Sequence, residues 1–125
     1  MNQVEFVDLF NSLPDWEEKY RYIMDRAGSV EMPIEYRTAE NKIISCTSIL
    51  YFKVTREPQV KIYAWGNSPI SLGLAGIISD IFTGRELVPT SLDKIFFHTK
   101  TQLNTHLSAA RNAALIEMLN KIIIS

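Results

Sequence analysis

The chain has one cysteine, two histidines and almost no net charge, and each shortage narrows what it can be. A lone thiol cannot close an internal disulfide, which fits a reducing compartment and a cytoplasmic location. There is no second cysteine, and the spacing of His98 and His106 matches no common zinc pattern, so a metal site is not expected. A net charge of −1 gives no electrostatic basis for binding nucleic acid or an anionic membrane. Met1-Asn2-Gln3-Val4-Glu5 lacks the basic region and apolar stretch of a secretory signal, and no apolar run approaches the length of a membrane span. Internal repeats, low-complexity tracts and linkers are missing too. At 125 residues the chain reads as one domain, residues 1–125. That is long enough to bury a core but short for a self-contained enzyme with a cofactor pocket, and no cofactor is expected.

What is present is an ordinary globular composition, 46% hydrophobic and 22% charged, arranged as helices, then a small sheet, then helices. Val4, Phe6, Val7, Phe10 and Leu13 recur at helical spacing, and Pro14 ends that helix. Asp15 is a good N-cap for a second helix, with Glu18 placed as in a capping box. Trp16, Tyr20, Ile23, Met24 and Ala27 line its apolar face, and Gly28 is its expected stop. Met32 to Asn41 reads as an extended connection into a short strand near Ile43. Ser48 to Thr55 is the clearest strand, rich in β-branched and aromatic residues. Arg56-Glu57-Pro58 turns the chain. Val60, Ile62 and Ala64 then alternate with Lys61, Tyr63 and Trp65, a second strand with one drier face. A lone hairpin is marginal, so about three strands with covering helices are expected. Ser68 and Pro69 open a helix from Ile70 to Phe82. Pro89-Thr90 opens a short helix through Phe97, and a last helix runs from near Ser108 through Ile123. The fold class is therefore α+β.

Cys46 is the chief chemical candidate. It precedes the strong strand, at the end of Asn41-Lys42-Ile43-Ile44-Ser45, in a loop where a thiol can meet another protein and react as the thiolate. The bland alternative is a small buried apolar residue. Neither histidine is placed beside it by sequence, and both read as surface or helix-end residues. Arg111 falls in the first turn of the last helix, where the macrodipole disfavours a cation. A salt bridge would explain it. So would an anion held jointly by Arg111 and the helix N-terminus. Gly73, Ala75, Gly76 and Ser79 place small residues along one helix, which implies close backbone approach, ordinarily to the sheet.

Several segments resemble one family. Asp15-Trp16-Glu17-Glu18-Lys19-Tyr20 resembles the DWEE(R/K)Y segment of SufE-type cysteine desulfuration proteins. Met32-Pro33 and Tyr36-Arg37 occur at the family's spacing before its central motif. Asn41 to Ser48 resembles the N-x-V-x-G-C-x-S loop, and Pro69 to Leu74 resembles P-I-V-(R/K)-G-L. His106 to Leu115 resembles the closing H-L-S-x-x-R-x-x-G-L. The resemblance implies a SufE/NifU-like fold, a small antiparallel sheet packed by helices. It also implies a sulfur acceptor that binds a PLP-dependent cysteine desulfurase of the SufS type. Cys46 would take the desulfurase persulfide and pass sulfur to an iron–sulfur cluster scaffold such as a SufB-like protein. By position, Asn41, Ser45 and Ser48 would support the loop, while His106 and Arg111 would face the desulfurase.

This sequence departs from the pattern at defined points. Ser45 replaces the glycine before the cysteine, Tyr51 a strand tryptophan, Leu72 a basic residue, and Ala114 the glycine of the closing motif. The segment between Gly66 and Gly73 is short, so an acidic residue often found there is missing. Ser45 is expected to restrict its loop, through its Cβ and through a hydroxyl bonded to nearby backbone. Two other classes compete with the carrier. One is a binding module that docks and regulates a desulfurase or scaffold with an idle cysteine. The other is a thiol enzyme acting alone, with Cys46 activated by a histidine.

Overall fold

A reciprocal capping box opens the first helix, α1 (Gln3–Ser12). The Asn2 side chain accepts the Glu5 amide at 2.8 Å, and the Glu5 carboxylate accepts the Asn2 amide at 2.9 Å. The computed structural model describes residues 1–56, 58–86 and 88–123. The second helix, α2 (Trp16–Asp25), has only half of the box expected there. Asp15 accepts the Glu18 amide at 2.9 Å, but the Glu18 carboxylate turns to Arg21. Phe6, Phe10 and Ile23 are buried on these helices, whereas Val4 and Met24 are exposed. Gly28 does not stop α2. The chain continues as a 3-10 turn, Arg26–Ser29, that contains Gly28 without left-handed backbone.

The connection that follows is not extended throughout. It curls into 3-10 turns at Ile34–Tyr36 and Ala39–Asn41. The sheet has two strands, β1 (Leu50–Arg56) and β2 (Val60–Gly66), paired antiparallel from Leu50 opposite Gly66 to Arg56 opposite Val60. The third strand expected near Ile43 is reduced to a single bridge between Lys42 and Tyr51, and the Ile43 amide donates to the Leu50 carbonyl at 2.8 Å. A tight turn ends at Asn41 just before it and the thiol loop begins just after, so only one rung has room to form. Of the turn expected at Arg56-Glu57-Pro58, Glu57 lies outside the described residues. The drier face of β2 is as the alternation indicates, with Val60, Ile62 and Ala64 buried.

Helix α3 (Pro69–Phe82) starts at Ser68, whose hydroxyl accepts the Ser71 amide at 3.4 Å. In place of the helix expected from Pro89 to Phe97 there is only a 3-10 turn, Leu92–Lys94, and two short helices not expected from the sequence follow it, α4 (Phe97–Lys100) and α5 (Leu103–His106). Side-chain hydrogen bonds, one set distant and one local, accompany these breaks. The Gln3 amide oxygen accepts the Phe96 and Phe97 amides at 2.8 and 3.2 Å. The buried Thr101 hydroxyl donates to the Phe97 carbonyl at 2.7 Å. The last helix, α6 (Ala109–Ile123), buries Ala114, Leu115, Met118, Leu119 and Ile122. Its far end is held by the Arg56 guanidinium, which donates to the carbonyls of Lys121 (2.9 Å) and Ile122.

The small-residue stripe of α3 does not lie on the sheet. A Cβ built on Gly73 would overlap the carbonyl oxygen of Ile23, and one built on Gly76 would overlap that of Arg26. The stripe therefore receives the backbone of α2 and the turn after it. A two-pronged ion pair closes the same seam, with Arg26 donating to Asp80 at 2.7 and 3.0 Å.

In an open helix, alanine is favoured over glycine by about 1 kcal/mol. At Gly73 the sign reverses, because the overlapped carbonyl belongs to a helix that must shift as a body. Gly73→Ala is expected to lower the unfolding free energy by about 2–3 kcal/mol. Gly28→Ala, with open space around its Cβ, is expected to be neutral or to gain up to about 1 kcal/mol. Urea denaturation checks the pair. A Gly73→Ala midpoint at or above the parent's would refute the close approach.

Candidate functional site

Cys46 lies in the loop between Ile43, which is buried, and Leu50, the first residue of β1. Its thiol is half-buried, 3.2 Å from the Ser48 hydroxyl and within a long hydrogen bond, 3.6 Å, of the Ser71 hydroxyl. Ser71 is itself buried, 2% exposed, in the first turn of α3. The thiol opens into a cavity of about 250 Å³ walled by Cys46, Thr47, Ser48, Ser68, Ser71, Ser108, Ala110 and Arg111. Hollows of about 280 and 600 Å³ elsewhere have neither a cysteine nor a histidine in their walls.

The cavity is built from the N-terminal turns of two long helices. Ser68 and Ser71 belong to the start of α3, and Ser108, Ala110 and Arg111 to the start of α6. Ser108 is also the local cap of α6, accepting the Arg111 amide at 3.3 Å. Each helix N-terminus carries roughly half a positive charge, so both dipoles and the Arg111 side chain favour an anion in this space. Among the described residues no carboxylate lines it. Among the described residues Arg111 makes no salt bridge, which removes the ordinary explanation for a cation in a first helical turn.

The loop is held from the other side by Glu117 of α6. Its carboxylate accepts the Ile44 amide at 3.0 Å, the Ser45 amide at 2.9 Å and the Ser45 hydroxyl at 2.8 Å. Burial pushes the Glu117 carboxyl up, but the hydrogen bonds from Ser45 and Ile44, helped by Lys121, outweigh it and hold the carboxyl below its ordinary value. The Ser45 hydroxyl thus meets a distant carboxylate rather than the nearby backbone expected from sequence. Its backbone is not left-handed, since Gln102 is the only non-glycine with positive φ among the described residues.

The other sequence candidates are dispersed. Asn41 is buried and donates to the Tyr36 carbonyl at 2.8 Å, so it ties the turn before the loop and does not touch the thiol. His106 lies at the end of α5, stacked on Trp16 with ring centroids 3.6 Å apart, and its carbonyl accepts the Tyr20 hydroxyl at 2.6 Å. His98 is buried in α4, not a surface residue, and burial pushes its imidazole pKa down. Neither histidine lines the thiol cavity, so the geometry gives no Cys–His pair. Among the described residues no group of three or more His, Cys, Asp or Glu side chains is placed to hold a metal. Of the departures, Tyr51 sits opposite Trp65 on the sheet, Leu72 packs against the core, and Ala114 is fully buried in α6. Asn67 occupies the short link after β2, where its side chain accepts the Ile49 amide at 3.1 Å. Sequence reasoning missed Ser71 and Glu117. Ser71 stands at the valine of the P-I-V pattern, which was a signal. Glu117 gave none, because nothing in a helix sequence points to a loop about seventy residues away.

The family model for SufE, described as an Fe-S metabolism associated domain, matches residues 4–124. The chain belongs to the SufE family. Its family ties it to iron–sulfur metabolism. It is 30% identical to an uncharacterised SufE-like protein of Rhizobium meliloti, over 94% of this chain and 89% of that one. It is 32% identical to the cysteine desulfuration protein SufE of Wigglesworthia glossinidia brevipalpis, over 62% of this chain and 56% of that one. The fold is similar to the solution structure of a hypothetical protein from Thermus thermophilus, with a TM-score of 0.63 at 18% identity, covering 96% of this chain and 92% of the other. Among the described residues no helix is long and apolar enough to cross a membrane.

Two measurements test this SufE site in isolation. If Arg111 favours an anion at the thiol, Arg111→Ala should slow alkylation of Cys46 by iodoacetate more than by neutral iodoacetamide. The ratio is expected to fall about threefold, the worth of an exposed charge contact, with the unfolding midpoint unchanged. An unaltered ratio would remove that role. The second concerns Glu117, whose depressed folded pKa means its loop contacts stabilise at pH above the ordinary value of 4.5 and are lost as pH falls through the lower, folded value. The Ser45 amide proton shift should therefore titrate with a midpoint below 4.5. A midpoint at or above that value would contradict the hydrogen-bonded carboxylate.

Proposed function

We propose that this SufE-family protein carries sulfur on Cys46. It takes the sulfur from a PLP-dependent, SufS-type cysteine desulfurase, stimulates that enzyme's turnover, and delivers to an iron–sulfur cluster scaffold of the SufB-like kind. The observation that carries this reading is the convergence of two helix N-termini and Arg111 on a half-buried thiol among hydroxyl groups. The name of the Wigglesworthia relative, a cysteine desulfuration protein, points to the same chemistry.

The step is a thiol–persulfide exchange. The Cys46 thiolate attacks the outer sulfur of the desulfurase persulfide. A new S–S bond forms on Cys46, the donor's S–S bond breaks, and the donor cysteine leaves as its thiolate. The outer sulfur keeps its oxidation state, so no external oxidant or reductant is required. The persulfide on Cys46 then ends in a terminal sulfur that ionises readily. The α3 and α6 N-termini, Arg111 and the hydroxyls of Ser48 and Ser71 supply the donors and positive potential for such an anion. Partial burial shields it from other thiols until the acceptor arrives. Ser45, Ser48 and Asn41 shape the loop and its approach. Exposed His106 and Arg111 are the proposed partner-facing residues.

Intact-mass analysis after incubation with a cysteine desulfurase and cysteine is the direct test. The parent protein should gain one sulfur atom. Cys46→Ser should gain none, while melting close to the parent and still binding the desulfurase. If Cys46→Ser stimulates desulfurase turnover as fully as the parent, the carrier function fails and a binding module with an idle cysteine takes its place.

A further inference from the structure

Glu117 has no part in the exchange chemistry, yet it makes most of the polar contact between the thiol loop and the body of the protein. The loop is anchored at both ends. The Ile43 amide bonds to the Leu50 carbonyl at 2.8 Å, and Ile49 exchanges two 3.1 Å hydrogen bonds with Asn67. Between those anchors, residues 44–48 have few other restraints. Ile44 is 85% exposed and gains little from burial, and Ser45 and Thr47 are exposed as well. Among the described residues, the hydrogen bonds from 44–48 to the rest of the molecule are the three to Glu117 and the long one from the Cys46 thiol to Ser71. The carboxylate thus holds both amides that precede the thiol. Their direction sets whether Cys46 points into the hydroxyl-lined cavity or outward.

The geometry points to Glu117 as a positioning residue that keeps Cys46 turned into its cavity and must let go of Ile44 and Ser45 for the thiol to reach a partner's sulfur. This deepens the carrier function and rests on it for the transfer step, but the positioning itself is a property of the free protein. Both carboxylate oxygens are used. One accepts Ile44, and the other accepts both groups of Ser45. A glutamine keeps one acceptor and places an amide donor where the other stood, so it can satisfy Ser45 or Ile44 but not both. An alanine removes both. Ser45→Gly deletes only the hydroxyl bond. The family's glycine is thereby restored, which frees the loop without touching the two amide contacts.

The probe is iodoacetamide alkylation of Cys46 in the free, full-length chain, read alongside amide hydrogen exchange. Glu117→Ala should speed alkylation about tenfold, with Glu117→Gln between it and the parent. Exchange at the Ile44 and Ser45 amides should rise in parallel, while β1 amides keep the parent's protection. Ser45→Gly should speed alkylation in the parent background and do little in the Glu117→Ala background, because the bond it removes is already gone. Parent-like alkylation in both Glu117 variants overturns the role. So does acceleration that extends equally to the β1 amides, which would mean global loosening. A desulfurase-loading arm separates this from the carrier function. Faster alkylation with no sulfur gained supports the positioning role and refutes the carrier. Unchanged alkylation with normal sulfur loading refutes the positioning role alone.

Discussion

The close approach of α3 to α2 is the constraint from which the rest of the arrangement follows. Gly73 and Gly76 let the α3 backbone lie directly against the carbonyls of Ile23 and Arg26. Side chains of any size there would push α3 outward. Because the helix is rigid, displacement at Gly73 is displacement at Ser71, one turn from the N-terminus and in contact with the Cys46 sulfur. The Arg26–Asp80 pair fixes the far end of the same helix, so both its height and its direction are set. A glycine stripe that serves packing therefore also decides where a helix dipole and a buried hydroxyl meet the thiol.

The second helix at the site is fixed by a different device. Arg56, at the end of β1, holds the last carbonyls of α6. Its buried face, from Ala114 to Ile122, locks its rotation. With the C-terminal end tied and the rotation set, the N-terminal turn presents Ser108 and Arg111 to the cavity while Glu117, further along, reaches the loop. One helix thus brings opposite charges to the two sides of a short loop. The Glu117 charge is spent on three donors. The Arg111 charge is committed to no salt bridge among the described residues and faces the cavity. The asymmetry explains why an anion is favoured in the cavity although a carboxylate stands nearby.

The local physics of the chain was legible where it acts over a few residues. The cap at Ser68, the alternation of Val60, Ile62 and Ala64, and the last helix starting after Ser108 all depend on neighbours, and the structure has each where the sequence indicates it. What escaped was set by distant partners. Gln3 ends a backbone run at Phe96, an unforeseeable interaction across the whole chain. The third strand shrank to one bridge because a turn and a loop crowd it on either side. The same division holds at the site. Cys46 and Arg111 stand out by their positions in the chain and Ser48 by its motif, and the three meet in space. His106 shares the closing motif with Arg111, yet its ring stacks on Trp16 away from the cavity. A motif records what a segment shares, not which of its side chains converge.

Ser45 shows how a substitution can alter a loop without straining it. Glycine before the thiol suggests a backbone that needs left-handed freedom, and on that view serine would carry a conformational cost. The backbone here is not left-handed, so the Cβ meets no such penalty. Serine instead adds a donor, and the donor finds a carboxylate already gathering the two adjacent amides. The change acts through stabilisation of one loop state rather than through strain in it. A stabilised resting state raises the work of opening, and the same bond lowers the fraction of time the thiol spends away from its cavity. How readily the thiol leaves its cavity and how well it is shielded there are therefore coupled through one hydroxyl. Serine at this point favours the state in which the thiol is turned into its cavity, with Glu117 as the group that makes the added hydroxyl count.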